Sequence, residues 1–308
     1  MPERIPLVAI IGPTAVGKTQ TAIGVAEALQ GEIVSADSRL LYRGMDIGTA
    51  KPSSEERERV PHHLIDVTTP DRPWTMARYL AEAQRTIKAV HQRGSLPILV
   101  GGTGQYVQAV LEGWDPPPAG SENIRARWRA YLEKEGSEAL HARLGELDPE
   151  SAAKIDHRNV RRVIRALEIC ELTGEPANSQ KKKSPPPYSV LKIGLIRPRS
   201  ELYARIDVRI DGMLERGLVD EVKGLLEEGY SPELPALSAI GYRQVIDALQ
   251  GECTMEQAIA SVRKLTRQFV RRQANWWKPD DPSIRWHTVD EGVVDAVLNS
   301  VSAWLSSD

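Results

Sequence analysis

The sequence predicts an α/β protein whose core is a parallel β-sheet covered by helices. Short apolar runs alternate with helical patterns over residues 1–112, which is typical of a chain that passes repeatedly between a sheet and its helices. A glycine-rich turn also separates the first apolar run from the first helical pattern, at residues 12–19. Phosphate-binding loops occur in this order of strand, turn and helix, so we expect a P-loop NTPase-like core.

Four apolar runs in this region are predicted as strands, namely Leu7 to Ile11, Glu32 to Ala36, Leu64 to Val67 and Pro97 to Val100. Helices are predicted over Thr21 to Leu29 and over Met76 to Arg93. A further strand is predicted over Val190 to Ile196, and helical patterns dominate from Ser200 to Lys278.

Two proline-rich segments, Gly113 to Pro118 and Lys181 to Pro187, interrupt the chain. Proline runs are stiff and continue neither a helix nor a central strand. Every pattern between the two segments is helical. We therefore expect a core over residues 1–113 and 189–308, with a helical C-terminal part, and a helical insertion domain over residues 114–188.

The composition limits the class of protein and its location. The 308 residues have a formal net charge of −2, so any polyanionic partner must be met by local basic patches. Cys170 and Cys253 lack metal-ligand spacing and indicate a reducing compartment. No apolar run approaches the roughly 20 residues that span a bilayer, and little sequence precedes the glycine-rich turn to serve as a cleavable signal. We expect a cytoplasmic protein that does not associate with a membrane.

The turn at residues 12–19, called the phosphate loop below, matches the pattern G-x-x-x-x-G-K-[ST]. Its residues are the candidate diphosphate site: Gly12, Pro13, Thr14, Ala15, Val16, Gly17, Lys18 and Thr19. In such a loop backbone N–H groups face a diphosphate, the lysine contacts its oxygens, and the hydroxyl of the last residue is offered to Mg²⁺. A chance glycine-rich turn is the alternative, and the flanking strand and helix count against it. The pattern leaves open what carries the phosphates.

Asp37 is the candidate catalytic carboxylate. A nucleotide-hydrolysing enzyme with this loop usually carries an Asp at the end of a second buried strand, but the run at Pro97 to Val100 ends in two glycines. Asp37 instead closes the run at Glu32 to Ala36, and the carboxyl ends of parallel strands face the ligand crevice. An N-cap for a following helix is the alternative role of Asp37. Asp66, beside a pair of histidines, is the competing carboxylate.

A first basic helix is predicted over His157 to Leu172, with its apolar residues on one face. Four arginines at i, i+3, i+4 and i+7 share the opposite face, namely Arg158, Arg161, Arg162 and Arg165. Like charges on one face repel each other unless an anion is present. We expect a polyanion there, with a solvated face that makes salt bridges to other helices as the alternative.

A second basic helix is predicted over Ser261 to Lys278, which contains six basic residues and no acidic one. Arg263, Arg267 and Arg271 mark its exposed side. Trp276 and Trp277 are expected in the core, unless one of them lies beneath a base or sugar. Two such helices on a nearly neutral protein indicate a nucleic acid as the partner.

Several motifs, taken in chain order, resemble those of tRNA dimethylallyltransferases. They are the phosphate loop, Asp37 to Arg39, Tyr42 to Pro52, Pro61 to Asp66, Gly101 to Tyr106, Gly241 to Gln244 and Thr266 to Gln273. The matches run from residue 7 to about residue 278. The resemblance implies transfer of a dimethylallyl group from dimethylallyl diphosphate to the exocyclic amine of the adenine directly 3′ of the tRNA anticodon. The phosphate loop would then hold the diphosphate of a prenyl donor.

The resemblance also implies roles for individual residues. Asp37 would act as the general base toward the adenine amine, and Thr103 would hydrogen-bond that amine. Arg209 and Lys18 would hold the pyrophosphate leaving group, and Thr19 would bind Mg²⁺. The tRNA-contacting residues would be Asp37, Ser38, Arg39, Leu40, Thr103, Arg161, Arg162, Arg165, Gly241, Tyr242, Arg243, Arg271 and Arg272.

The sequence departs from this family at two positions. Many bacterial relatives have Gln where this chain has Leu40, and Leu where it has Gln105, so the contacts of those two side chains are not carried over. The zinc-finger extension of eukaryotic relatives is absent from the sequence, which is typical of a bacterial-type enzyme. We expect a monomer that binds the anticodon stem-loop of tRNA.

Four other functions remain as alternatives. A small-molecule kinase or an RNA-dependent ATPase uses the same loop, but the missing strand-end Asp disfavours both, and a small acceptor would not need two basic helices. A prenyltransferase that acts on free adenine nucleotides is disfavoured by the basic insertion. An RNA-binding module with a vestigial loop is disfavoured because the residues of the loop pattern and the strand-end carboxylate are intact: Gly12, Gly17, Lys18, Thr19 and Asp37.

Overall fold

The computed structural model describes residues 4–179 and 182–307; Lys181, in the second proline-rich segment, lies outside this range. The chain divides into two compact units. One comprises Met1–Trp74, Ala81–Leu111 and Pro187–Asp308, and the other comprises Thr75–Leu80 and Glu112–Pro186. Among the described residues, no helix is long and apolar enough to cross a membrane.

Strands and helices alternate along most of the chain. The first part of the chain forms β1 (Ile5–Ile11), α1 (Lys18–Leu29), β2 (Gly31–Ser35), α2 (Ser54–Arg59), β3 (His62–His63), α3 (Met76–Gln92), β4 (Leu96–Gly101) and α4 (Gly104–Glu112). The middle part forms β5 (Trp114–Asp115), α5 (Glu122–Leu147), α6 (Pro149–Lys154), α7 (Val160–Thr173) and β6 (Lys182–Lys183). The last part forms β7 (Tyr188–Ile196), α8 (Arg199–Glu215), α9 (Leu218–Glu227), α10 (Tyr242–Leu249), α11 (Met255–Gln273), β8 (Ile284–Thr288) and α12 (Val293–Leu305).

The first unit contains a parallel six-stranded sheet in the order β3-β2-β4-β1-β7-β8. Residues Leu7 to Ile11 of its central strand are completely buried, as expected for a sheet covered on both faces. The predicted α/β fold with a parallel sheet is therefore confirmed. Because Ile11 pairs with Gly101 and Ser35 pairs with Val100, the loops that follow β1, β2 and β4 begin at the same edge of the sheet.

Helices α1, α8, α11 and α12 contribute to the main hydrophobic core of this unit. Ile10 and Ile193 of the sheet belong to the same buried cluster as Ile23 of α1, Ile206 of α8 and Val297 of α12. All five side chains are at most 1% exposed. Their burial fixes the helices that flank the phosphate loop, since close-packed cores allow little movement.

One strand prediction is wrong in its position. The third strand occupies His62 and His63, which pair with β2, rather than Leu64 to Val67. Leu64 has φ 61° and Asp66 has φ 57°, and a backbone in the left-handed region cannot continue an extended strand. The segment instead bonds to the preceding loop, with the Asp66 N–H donating to the Leu40 carbonyl at 3.1 Å.

The end of the chain holds two elements that the sequence analysis missed. Strand β8 pairs with β7 from Lys192 to Ile196 and forms one edge of the sheet. Helix α12 buries Val293, Val297 and Val301, four residues apart. That spacing is typical of a helix packed on a sheet, and α12 could have been predicted from it.

In the second unit, α5, α6 and α7 pack around a small core of their own. Helix α5 bends at Gly136, which has φ 84°. Leu140 and Leu144 of α5 are fully buried against Val163 and Leu167 of α7. The short strands β5 and β6 pair antiparallel.

Candidate functional site

The phosphate loop links β1 to the first turn of α1. Gly12 has φ 149° and Gly17 has φ 120°, and a Cβ at Gly12 would lie only 2.7 Å from the Leu195 carbonyl oxygen. Both positions therefore require glycine. Helix α1 begins at Lys18, so the positive end of its dipole lies at the loop.

Side-chain cations surround the loop and hold its carbonyl groups. Lys18 Nζ donates to the carbonyls of Gly12 at 3.0 Å and Pro13 at 2.8 Å. Arg205 Nε donates to the Ala15 carbonyl at 2.9 Å, and Arg197 Nε donates to the Val16 carbonyl at 3.1 Å. Neither of these two arginines was predicted as a site residue.

Unlike the carbonyls of the loop, most of its backbone N–H groups make no hydrogen bond within the described residues. Within the part of the chain that the structure describes, the backbone N–H groups of residues 15–19 have no acceptor. Unpaired N–H groups at a helix N-terminus, next to the cationic side chains of Lys18 and Arg209, form a site suited to phosphate groups.

Lys18 is partly buried, and the loss of solvent around its ammonium group lowers its pKa to about 8. The negative charge of Asp37 opposes this shift, and the positive charge of Arg209 adds to it. Burial also lowers the pKa of Arg209, together with the nearby charges of Arg205 and Arg216. The positive charges of Lys18 and Arg209 act on each other at the loop, and a diphosphate bound there would be attracted by both.

Asp37 follows β2 at the edge of the sheet where the phosphate loop begins. Its Oδ1 accepts a hydrogen bond from the Arg39 N–H at 2.9 Å, so its side chain forms a local turn. The alternative role as an N-cap is wrong, because the next helix, α2, begins only at Ser54. Burial lowers the pKa values of Lys18 and Arg209, and the negative charge of Asp37 opposes both shifts.

Thr103 lies next to Asp37, in the turn after β4. Its N–H donates to the Ala36 carbonyl at 3.2 Å, and its hydroxyl accepts from the Ser38 N–H at 3.1 Å. The structure therefore brings Asp37, Ser38 and Thr103 together at one end of the sheet. Arg209 contacts the phosphate loop, with Nη1 donating to the Thr14 hydroxyl at 3.5 Å.

The competing carboxylate, Asp66, is engaged elsewhere. It forms ion pairs with Lys51 at 2.5 Å and with Arg57 at 2.9 Å. Nearby, His63 contacts Glu32 at 2.6 Å. No cluster of His, Cys, Asp and Glu side chains that could hold a metal ion is found within residues 4–179 and 182–307.

Helix α7 presents fewer free arginines than the sequence predicted. Arg158 precedes the N-cap Asn159, so it is not part of the helix, and it pairs with Asp156. Arg165 donates to Glu168, which is completely buried and accepts a second ion pair from Arg125. Sequence reasoning missed this carboxylate because it lies on the apolar face.

Arg161 and Arg162 are the exposed arginines of α7, and neither has an ion-pair partner in the described part of the chain.

On α11 two of the three predicted exposed arginines are paired. Arg263 bonds to Asp211 at 2.5 Å, and Arg267 bonds to Asp207 at 2.6 Å. The expectation that this stripe consists of free cations is therefore wrong for these two. Arg271 and Arg272, at the end of the helix, are exposed.

The remaining predicted contact residues differ in accessibility. Tyr242 is completely buried and its hydroxyl donates to Glu221 at 2.6 Å, so its side chain cannot form part of a surface. Arg243 donates to the Pro232 carbonyl at 2.5 Å. Arg39 donates to the Pro235 carbonyl at 3.0 Å.

Trp277 lies in the core as expected, whereas Trp276 is 37% exposed. The ring of Trp276 lies on Gly104, where an added Cβ would come within 2.2 Å of the ring.

A family model, a curated relative and two solved structures all identify the same family of transferases. Residues 40–280 match the family model described as IPP transferase. A tRNA dimethylallyltransferase of Thermomicrobium roseum is 48% identical over 292 residues, which cover 94% of this chain and 88% of that protein. The crystal structure of a tRNA isopentenylpyrophosphate transferase from Bacillus halodurans is 41% identical, with a TM-score of 0.73, and the match covers 98% of this chain and 97% of that one. A eukaryotic dimethylallyltransferase acting on tRNA is 27% identical, with a TM-score of 0.84 and coverages of 98% and 80%.

Proposed function

This chain belongs to the IPP transferase family, and from that premise we propose that it is a tRNA dimethylallyltransferase whose donor is dimethylallyl diphosphate. The acceptor is the exocyclic amine of the adenine directly 3′ of the tRNA anticodon, and pyrophosphate is released. The phosphate loop holds the diphosphate of the donor.

The proposal rests mainly on the position of the carboxylate at this edge of the sheet: Asp37 follows β2, whereas β4 ends in glycine. A Cβ at Gly101 would lie 2.1 Å from the Ala36 carbonyl oxygen, and one at Gly102 would lie 2.4 Å from Gln273 Nε2. Because the Ala36 carbonyl is a backbone group, the end of β4 at Gly101 has no room for the Asp that a nucleotide hydrolase carries there. Asp37, at the end of β2, is the carboxylate close to the loop cations, which suits proton removal from an acceptor better than nucleotide hydrolysis.

The geometry supports a single step in which the adenine amine displaces pyrophosphate from the allylic carbon. The adenine amine is conjugated with its ring and is a poor nucleophile, so removal of a proton by Asp37 assists its attack; a positioned base contributes about 10²–10⁴-fold. A bond forms between the amine nitrogen and the allylic carbon, and the bond from that carbon to the diphosphate oxygen breaks. Lys18, Arg209 and the loop N–H groups stabilise the charge that develops on pyrophosphate.

Thr19 is the residue that fits a divalent cation, which we propose is Mg²⁺. Its hydroxyl lies in the first turn of α1 and has no hydrogen-bond partner among the described residues. Thr19 would hold such an ion next to Lys18, and the ion would supply positive charge that neutralises part of the charge on the leaving group.

Recognition of tRNA rests on exposed arginines in each unit. Arg161 and Arg162 of α7 and Arg271 and Arg272 of α11 are free to contact phosphates. Such contacts position the RNA, whereas the reacting base must leave the stacked anticodon loop to reach Asp37.

Replacing Arg161 and Arg162 together by Ala is expected to weaken tRNA binding and to reduce its salt dependence. The slope of log affinity against log salt should fall by about 0.7–0.9 for each lost phosphate contact. Replacing Arg129 and Arg143 is the matched control, because they lie in the same unit and are paired with Glu122 and Glu146. Equal salt slopes for the two double variants would show that α7 presents only a solvated face.

The pKa of Lys18 predicts a pH dependence of pyrophosphate binding. Lys18 is protonated below its pKa of about 8 and loses its charge above that pH in the free protein. Affinity for pyrophosphate, measured by calorimetry and divided by that of Lys18→Ala at each pH, should therefore fall as the pH rises from 7 to 9.5. A ratio that stays constant over this range would contradict the assignment of Lys18 to the leaving group.

The proposed function is tested by following pyrophosphate release from dimethylallyl diphosphate. Release should require unmodified tRNA, and ATP should give no phosphate release with or without tRNA. Phosphate release from ATP that is stimulated by tRNA and abolished by Lys18→Ala would instead identify an RNA-dependent ATPase.

A further inference from the structure

Gln273, the last residue of α11, is a buried polar side chain with both ends of its amide bonded. It is 4% exposed. Its Oε1 accepts from the Thr14 N–H at 2.8 Å, and its Nε2 donates to the Gly102 carbonyl at 2.9 Å. Both partners are backbone groups of distant segments, so this one side chain connects three parts of the chain.

The two partners of Gln273 belong to the two halves of the proposed site. Thr14 lies in the phosphate loop, and its hydroxyl accepts from Arg209. Gly102 precedes Thr103, whose hydroxyl is bonded to Ser38. The glutamine therefore connects the segment that holds the leaving group to the segment that faces the attacking amine.

The hydrogen-bonding groups of the glutamine amide match the two backbone groups that it contacts. The neutral amide offers an acceptor for the Thr14 N–H and a donor for the Gly102 carbonyl without adding a charge. A carboxylate would accept from Thr14 but face the Gly102 carbonyl with no proton between them. An apolar side chain would leave both backbone groups unpaired in a buried setting.

We propose that Gln273 is a positioning residue, which fixes the phosphate loop against the turn at Gly102 and so sets the distance between the leaving group and the attacking amine. This inference rests on the proposed function. Lys18 Nζ lies 3.6 Å from the place of a Cβ on Gly102, so any shift of that turn also changes the surroundings of the main phosphate cation.

The test uses the full chain with Gln273→Met, which keeps the length and removes both hydrogen bonds, and Gln273→Glu, which adds a charge. Gln250→Glu, at an exposed helix end, is the control for that charge. Pyrophosphate affinity is measured by calorimetry, and the KM for each substrate is measured separately. We expect about 10-fold weaker pyrophosphate binding for Gln273→Met, the effect of about one net hydrogen bond. Gln273→Glu should bind more weakly still, because its carboxylate competes with the diphosphate for Lys18.

The KM for tRNA should stay unchanged in both variants, while the KM for dimethylallyl diphosphate rises and kcat falls. Wild-type pyrophosphate affinity in both variants would overturn the inference and leave the proposed function intact. Failure of both variants to fold would overturn it in favour of a purely structural role. If the wild-type protein itself does not bind pyrophosphate, both the inference and the proposed function are wrong.

Discussion

Asp37→Asn is expected to lower the rate of prenyl transfer at least ~10²-fold while tRNA affinity stays unchanged. The amide oxygen can still accept from the Arg39 N–H, which Asp37 Oδ1 now does at 2.9 Å, so the local turn is kept. What is lost is a base for the proton of the adenine amine. Turnover at saturating concentrations of both substrates and the dissociation constant for tRNA are the two measurements.

Asp66→Asn is the matched control for this substitution. It weakens the ion pairs to Lys51 and Arg57, so we expect lower thermal stability but turnover within a few-fold of the wild type. The opposite pattern, with turnover lost in Asp66→Asn and retained in Asp37→Asn, would transfer the role of the base to Asp66.

Lys18→Ala is expected to lower the rate of transfer by about 10²–10³-fold, the usual effect of removing one donor that stabilises developing charge. The leaving pyrophosphate loses the side-chain cation that now holds the Gly12 and Pro13 carbonyls. Lys88→Ala removes an exposed lysine of α3 and serves as the control. Transfer rates that are equal in the two variants would mean that the phosphate loop does not hold the leaving group.

The sequence alone predicted the features that depend on the succession of strands, turns and helices along the chain. A strand, a glycine-rich turn and a helix in succession define the phosphate loop. The carboxyl ends of neighbouring parallel strands meet at one edge, which is why the position of Asp37 followed from the position of its strand. These inferences needed no knowledge of contacts between distant segments.

Contacts between distant segments account for most of what was missed. Arg263 and Arg267 looked free because their partners, Asp211 and Asp207, come from α8. Tyr242 belongs to a motif but donates its hydroxyl to Glu221 in the interior. Gln273 contacts Thr14, 259 residues away in the sequence. Periodicity along one helix contains no information about such partners.

The proposed function is the attachment of a prenyl group to tRNA through the phosphate loop and Asp37. Its most direct test is mass spectrometry of the nucleosides from unmodified tRNA incubated with the protein and dimethylallyl diphosphate. One adenosine per tRNA should gain the mass of a five-carbon prenyl group with the wild-type chain, and almost none should do so with Asp37→Asn in the same time. No gain of that mass with the wild-type chain would contradict the claim.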